Sequence, residues 1–143
     1  MLPVLFAFAL AAAAAPPAQE EESEPGIDIS TPVVYGGAGY QAAYDRAQRY
    51  EGNGAAGVYR ERIFGPVMDP QLEDIYHACV IPVAGQVAPT FTLIISFAAT
   101  GQVDGVFVDR HTAQSECMAE RFANLTAPRP PVPDFAEEVR IVP

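Results

Sequence analysis

The clearest hydrophobic pattern of the chain lies in residues 91–108. From Phe91 to Phe97 every second side chain is large and apolar, and this period of two predicts a β-strand with one buried face. Residues 99–102 follow and include Gly101, whose freedom to adopt positive φ suits a turn. A second apolar run, from Val103 to Val108, predicts another strand. The pattern therefore predicts a β-hairpin.

Three amphipathic helices are predicted around this hairpin. The first covers residues 40–50, where tyrosines recur near helical spacing. The second begins with Asp69 as its N-cap and Pro70 at its first helical position. The third lies within residues 111–125, and its N-cap is Thr112 or Ser115. The inward-facing side chains of the second and third helices are predicted to be Leu72, Ile75, Tyr76, Cys79, Met118, Phe122 and Leu125.

Two further segments are predicted to be strands. Residues 58–64, VYRERIF, alternate along the chain and predict a short edge strand. Residues 135–143, FAEEVRIVP, follow a proline-rich loop and predict a final strand, with Phe135, Val139 and Ile141 as its apolar positions. From residue 69 onward the order is helix, strand, turn, strand, helix, loop and strand. It predicts an α+β fold with two helices packed on one face of a small antiparallel sheet.

Changes in composition divide the chain into four parts. Residues 1–18 contain a short apolar run followed by small residues and are predicted to be a secretory signal peptide. Residues 19–32, rich in Glu and Pro, are predicted to be a disordered acidic linker. Residues 33–68 form a Gly/Tyr-rich segment that holds the first helix, and residues 69–143 form the α+β domain. The expected protein is periplasmic or secreted, with no transmembrane segment after signal cleavage.

Charge narrows the class of partner. The formal net charge is −10, and the eight basic residues are all arginines that form no basic run. Nucleic acids and anionic membranes are bound by basic patches, so neither is expected as a partner. We interpret the acidity as favouring solubility.

Cys79 and Cys117 are the only cysteines. In the oxidising compartment that a signal peptide implies, such a pair is most simply a disulfide. The bond would close a loop of about 39 residues, which the chain-entropy model values at roughly 4 kcal/mol.

The residues that could carry chemistry are few: His77, Cys79, Asp109, His111 and Cys117. A Cys–His hydrolase would need a reduced thiol in an oxidising compartment. His77 and Cys79 lie two apart on a predicted helix and therefore point in different directions, whereas Asp109 and His111 could share one face of a strand. No phosphate loop or nucleotide fingerprint is present. We therefore predict no catalytic residue, no cofactor and no metal, and keep a small exported metal-binding protein or thiol enzyme as the alternative.

The second half of the chain resembles the C-terminal domain of TonB-type energy transducers, whose general architecture TolA-type periplasmic domains share. The resemblance spans roughly residues 70–143 and rests on an ordered series: an apolar strand, a glycine-containing turn followed by valine, a second strand, a helix, a proline-bearing loop and a final strand. The matching positions are Gly101, Val103, Val106, Val108, residues 118–125, residues 128–131 and residues 139–142.

The resemblance implies a fold and a role in binding. Those transducers have an uncleaved anchor and a basic, proline-rich spacer, whereas this chain has a predicted signal peptide and an acidic linker. We therefore expect a non-enzymatic binding or adaptor protein that recognises a protein or peptide of the cell envelope by strand addition at a sheet edge. The predicted edge consists of Val139, Arg140, Ile141 and Val142. A secreted inhibitor or immunity-type protein is a further alternative.

Overall fold

The computed structural model describes residues 30–52, 54–81 and 89–142. The predicted signal peptide and most of the predicted linker lie outside these residues. The described part is an α+β fold with a mixed four-stranded sheet, and none of its helices is long and apolar enough to cross a membrane. Its elements are β1 (Val33–Tyr35), α1 (Gly37–Arg49), α2 (Gly54–Tyr59), a π-helical turn (Arg60–Phe64), α3 (Gly65–Cys79), β2 (Phe91–Phe97), β3 (Val103–Val108), α4 (Ala113–Phe122) and β4 (Ala136–Ile141).

The strands are arranged in the order β1-β3-β2-β4. Strand β2 runs antiparallel to both β3 and β4, as the predicted hairpin and final strand require. Strand β1 pairs in parallel with β3, with Val33 opposite Val106, so the expectation of an antiparallel sheet is wrong for this strand. Strand β1 has only three residues, too few for an alternating pattern to be recognised in the sequence.

Helices cover both faces of the sheet. The alternate residues Phe91, Leu93, Ile95 and Phe97 are buried in the main core, which they share with α3 and α4, as predicted. Ile94, on the opposite face, is also fully buried because Ala43 and Ala47 of α1 pack against it. The two helices of the predicted α+β domain, α3 and α4, thus share one face as expected, and α1 adds a layer on the other face. The sequence left open how residues 33–68 pack. In the structure they add strand β1 to the sheet, and their helix α1 packs on its second face.

The segment from Gly54 to Cys79 is a continuous run of helix, π turn and helix. The predicted edge strand at residues 58–64 is wrong, and so is the predicted helix start at Asp69, because Pro70 lies inside α3. Tyr59 and Phe64 are both buried although they are five residues apart. A π turn explains this spacing, since its wider coil brings residues i and i+5 onto one side.

Helix α4 begins as the sequence indicates, and both predicted caps take part. The Ser115 N–H donates to Thr112 Oγ1 at 3.0 Å, and the Thr112 N–H donates to Ser115 Oγ at 2.8 Å. This reciprocal capping box satisfies two backbone donors that the helix itself cannot. The inward residues Met118 and Phe122 are fully buried. Cys117 lies at disulfide-bonding distance from Cys79, and this link joins α4 to the end of α3.

The turn between β2 and β3 depends on Gly101. Its φ is 92°, and a Cβ at this position would lie 2.0 Å from the carbonyl oxygen of Ala127. The Ala127 N–H donates to the Gly101 carbonyl at 2.8 Å. Glycine therefore allows the hairpin turn to touch the backbone of the loop that leads from α4 to β4.

Candidate binding edge of the sheet

Strand β4 lies at one edge of the sheet and pairs only with β2 among the described residues. The Phe97 N–H donates to the Phe135 carbonyl at 2.9 Å, which fixes the phase of the ladder. In an antiparallel pair, hydrogen bonding to the neighbour alternates along the strand. The main-chain groups of the odd-numbered residues thus face β2, and those of Glu138 and Arg140 face away from it.

The beginning of this edge is covered by the chain itself. Because α1 lies on one face of the sheet and α2 on the other, the chain must cross between Arg49 and Gly54. The Tyr50 hydroxyl donates to the Pro133 carbonyl at 2.9 Å, and Arg60 Nη1 donates to the Tyr50 carbonyl at 3.2 Å. These contacts put the crossing beside the start of β4. Within the part of the chain that the structure describes, the hydrogen bonds of this crossing reach Pro133 and Glu137 and leave the C-terminal half of the strand uncovered.

Arg60 fixes this crossing to β4. It stands at the first position of the π turn, and its Nε donates to Glu137 Oε2 at 2.6 Å. Its guanidinium also lies over the Phe135 ring, 5.5 Å from the ring centre. Burial raises the pKa of the Glu137 carboxyl, and the Arg60 guanidinium opposes this rise. Arg60 thus stabilises a carboxylate that has largely been removed from water.

Glu138 points to the opposite face of the sheet. Its Oε2 accepts a hydrogen bond from Gln48 Nε2 of α1 at 2.7 Å. Its Oε1 accepts one from Arg140 Nη2 at 2.6 Å, and the Arg140 side chain is 61% exposed. The edge therefore presents an acidic and a basic side chain, two residues apart, on the same face.

A cleft of about 320 Å³ lies along β4. Neighbouring residues of a strand point to opposite faces, so a cleft that touches both Glu137 and Glu138 must run past the edge between them. Its lining residues come from both faces: Ala47, Gln48, Glu51, Arg60, Glu137, Glu138 and Arg140. The space that a further strand would occupy therefore adjoins the outward-facing main chain of β4.

The predicted edge residues fall where the sequence suggested, at the end of β4. Val139 is partly buried against the main core, and Ile141 is buried. Arg140 is exposed on the other face, and Val142, just after the strand, is 56% exposed. Whether these residues bind a partner stays a prediction.

The two histidines lie in different places, and each is near one carboxylate. His77 is exposed and lies 3.5 Å from Glu73, whereas His111 lies against the Tyr35 ring and 3.4 Å from Glu116. Within residues 30–52, 54–81 and 89–142, no three His, Cys, Asp or Glu side chains are arranged to hold a metal ion.

Asp109 and the two cysteines, which belong to the same alternative, have structural contacts. The Asp109 carboxylate accepts the Thr92 N–H at 2.9 Å. Cys79 and Cys117 are bonded to each other, so neither presents a thiol. Apart from the bonded cysteines, the structure therefore does not bring the residues of the metal or thiol alternative together.

Sequence reasoning missed Gln48, Arg60 and Glu137, the residues that border the edge. They come from three separate elements, and the chain carries no local pattern that relates them. Comparisons with protein families, with curated proteins and with solved structures found no match. The TonB-type resemblance thus stays a prediction from the order of the predicted elements.

Proposed function

We propose that this protein is an exported, non-enzymatic binding or adaptor protein that takes up an extended segment of a protein partner along the C-terminal half of β4. The observation that carries the proposal is the cleft that runs past an edge whose outward main-chain groups, at Glu138 and Arg140, have no neighbouring strand among the described residues. An added strand would pair with these groups. Main-chain hydrogen bonds would supply affinity, and the side chains beside the edge would supply selectivity.

The proposed location is the periplasm or the extracellular space, and the proposed partner belongs to the cell envelope or its surroundings. Two features support export: the apolar, small-residue pattern of residues 1–18 and the bonded pair Cys79–Cys117. Disulfides persist mainly in oxidising compartments. The relation to TonB-type C-terminal domains forms part of the same proposal, and it is supported by the order of the elements from α3 to β4.

The test separates the main chain of the edge from its side chains. A phage-displayed library of linear peptides is selected against the wild-type protein, and the selected peptides are titrated by calorimetry into Arg140→Ala and Arg140→Pro. Alanine removes the side chain but keeps the outward N–H. Proline removes that N–H as well, and an edge strand tolerates proline where the missing N–H faces solvent.

We expect Arg140→Ala to keep most of the affinity and Arg140→Pro to lose about tenfold or more, since the lost N–H leaves a carbonyl of the peptide unpaired. Circular dichroism checks that both variants are folded. Equal binding of the peptides by the two variants would mean that they are not held by strand addition at this edge.

A further inference from the structure

We propose that the β4 edge also pairs with a second copy of this chain, antiparallel across a two-fold axis that passes beside Val139. The inference rests on the proposed function in one respect, that the edge is open to an incoming strand. It goes further by naming an occupant, a register and a competition. A second copy on the edge would have to leave before any other strand could bind.

The hydrogen-bonding phase of β4 limits the possible registers. Only even-numbered residues direct main-chain groups outward, so even residues must lie opposite even residues in a paired edge. An axis at Glu138 would put this carboxylate opposite its own copy. An axis at Arg140 would do the same to two guanidinium groups. Like charges directly opposite each other destabilise a strand pair.

An axis at Val139 gives the complementary arrangement. Glu138 then lies opposite Arg140 of the second copy, and symmetry repeats the contact on the other side of the axis. Both are hydrogen-bonded pairs, with the charged side chains on the same face of the joined sheets. The two valines meet at the axis as a non-hydrogen-bonded pair, where side chains approach most closely. The edge is thus complementary to itself, as a two-fold interface requires.

In this exchange Arg140 moves and Glu138 stays in place, because the Glu138 side chain is only 17% exposed and its Oε2 accepts a hydrogen bond from Gln48. Arg140 is 61% exposed and already forms an ion pair with Glu138 of its own chain, two residues away on the same face. In the paired edges it would shift to the carboxylate of the second copy. The crossing at Tyr50 is fixed near Pro133 and Glu137, before the three residues Glu138 to Arg140 that define the register.

Charge reversal tests the register. Glu138→Arg makes both outward charges basic, and Arg140→Glu makes both acidic, so each variant should repel its own copy. Sedimentation equilibrium of the full chain at low salt measures self-association for the wild type, each variant and the double variant Glu138→Arg/Arg140→Glu. Glu120→Arg, an exposed acidic residue on α4, is the matched control for a change of charge.

We expect wild type, Glu120→Arg and the double variant to self-associate, and each single variant to associate at least about tenfold more weakly. An equimolar mixture of the two single variants should associate again, because the opposed charges are then complementary. Recovery in the mixture also shows that both single variants are folded.

Two results would overturn the inference: a wild type that is monomeric up to roughly 1 mM, or single variants that self-associate as the wild type does. The peptide experiment is read independently. If self-association fails but the selected peptides still bind Arg140→Pro more weakly than Arg140→Ala, only the pairing with a second copy is refuted. If they do not distinguish the two variants, the proposed function fails as well.

Discussion

Replacing Arg60 by alanine tests how strongly the crossing between α1 and α2 is held to β4. Three contacts are lost together: the hydrogen-bonded ion pair with Glu137, the hydrogen bond to the Tyr50 carbonyl and the stacking over Phe135. The change also leaves the Glu137 carboxylate mostly buried with no opposite charge beside it. The Glu137 side chain is only 17% exposed, and the Arg60 side chain is 25% exposed.

The expected loss follows from these contacts. A hydrogen bond between charged groups contributes about 1.5–3 kcal/mol, and cation–π stacking contributes roughly 0.5–1 kcal/mol. Partial exposure of both groups lets water replace some of this. We therefore expect Arg60→Ala to lower the free energy of unfolding by about 3 kcal/mol, a large part of the roughly 5–15 kcal/mol of a typical domain.

Arg62→Ala is the matched control, because Arg62 lies in the same π turn and is exposed. Its removal should cost no more than about 0.5 kcal/mol. Urea unfolding measures both variants. With a slope of about 1.5 kcal/mol per molar urea, the Arg60→Ala midpoint should fall by roughly 2 M.

A double-mutant cycle with Glu137→Gln isolates the pair, and we expect a coupling energy of about 1–2 kcal/mol. Equal midpoints for Arg60→Ala and Arg62→Ala would refute the reasoning. The contacts of Arg60 would then contribute nothing to the stability of the fold, and the crossing would be held by other residues.

Three further predictions concern titration, the hairpin turn and the disulfide. Burial raises the pKa of Glu137 above its usual 4.5, so the folded state binds the proton more tightly than the unfolded state does. The measured quantity is the free energy of unfolding of the wild type minus that of Glu137→Gln, and it should fall as pH rises from about 4.5 through the raised pKa. A difference that rises with pH would mean that Arg60 outweighs burial. Gly101→Ala should lower the free energy of unfolding by about 3 kcal/mol, measured by thermal or urea unfolding. The control is Gly52→Ala, where φ is also positive but the space is open, and it should lower that free energy by about 1 kcal/mol. Equal losses would mean that the backbone at Gly101 relaxes. Replacing Cys79 and Cys117 by serine should lower stability by up to about 4 kcal/mol, and the wild type should take up no alkylating reagent until it is reduced; two freely alkylating thiols would contradict the bonded pair.

The hairpin, α4 and β4 could be predicted because the large apolar residues of each recur with a clear period on one face. In β2 the alternate residues Phe91 to Phe97 are large, and in α4 Met118 and Phe122 are one turn apart. Strong capping residues and Gly101 then marked the ends. In such segments the local preference and the tertiary packing agree, so the pattern is sufficient.

The region from residue 54 to residue 79 could not be predicted in the same way. The alternation of VYRERIF is the signature of a strand, but Tyr59 and Phe64 are both buried because the π turn accommodates an extra residue. Proline at position 70 suggests a helix start, yet the helix begins earlier because Phe64 and Met68 continue the buried face. Tertiary packing decided both points against the local signals.

The candidate site was predictable only in its strand. Apolar alternation marked the final strand, and its place at the end of the series suggested an edge. The surroundings of that edge depend on α1, whose contact face consists of the small residues Ala43 and Ala47. Small residues give a weak hydrophobic signal, so nothing in the sequence indicated that Gln48 would reach Glu138. This second layer forms one side of the cleft, and Arg60 and Glu137 form the other.

Two of the three charged residues of β4, Glu138 and Arg140, explain how an accessible edge can be tolerated. Exposed edges invite indiscriminate pairing, and proteins commonly limit it with covering loops and charged side chains. Here the crossing covers the start of the strand, and Glu138 and Arg140 stand on the remainder. An uncharged strand would take main-chain bonds from this edge but would bury part of both charges with only each other as counter-ion. An antiparallel strand that carries an acidic residue opposite Arg140 and a basic residue opposite Glu138 would compensate both. On the proposed function, the same two side chains would favour strands that carry the complementary charges, and the chain's own Glu138-Val139-Arg140 segment carries them.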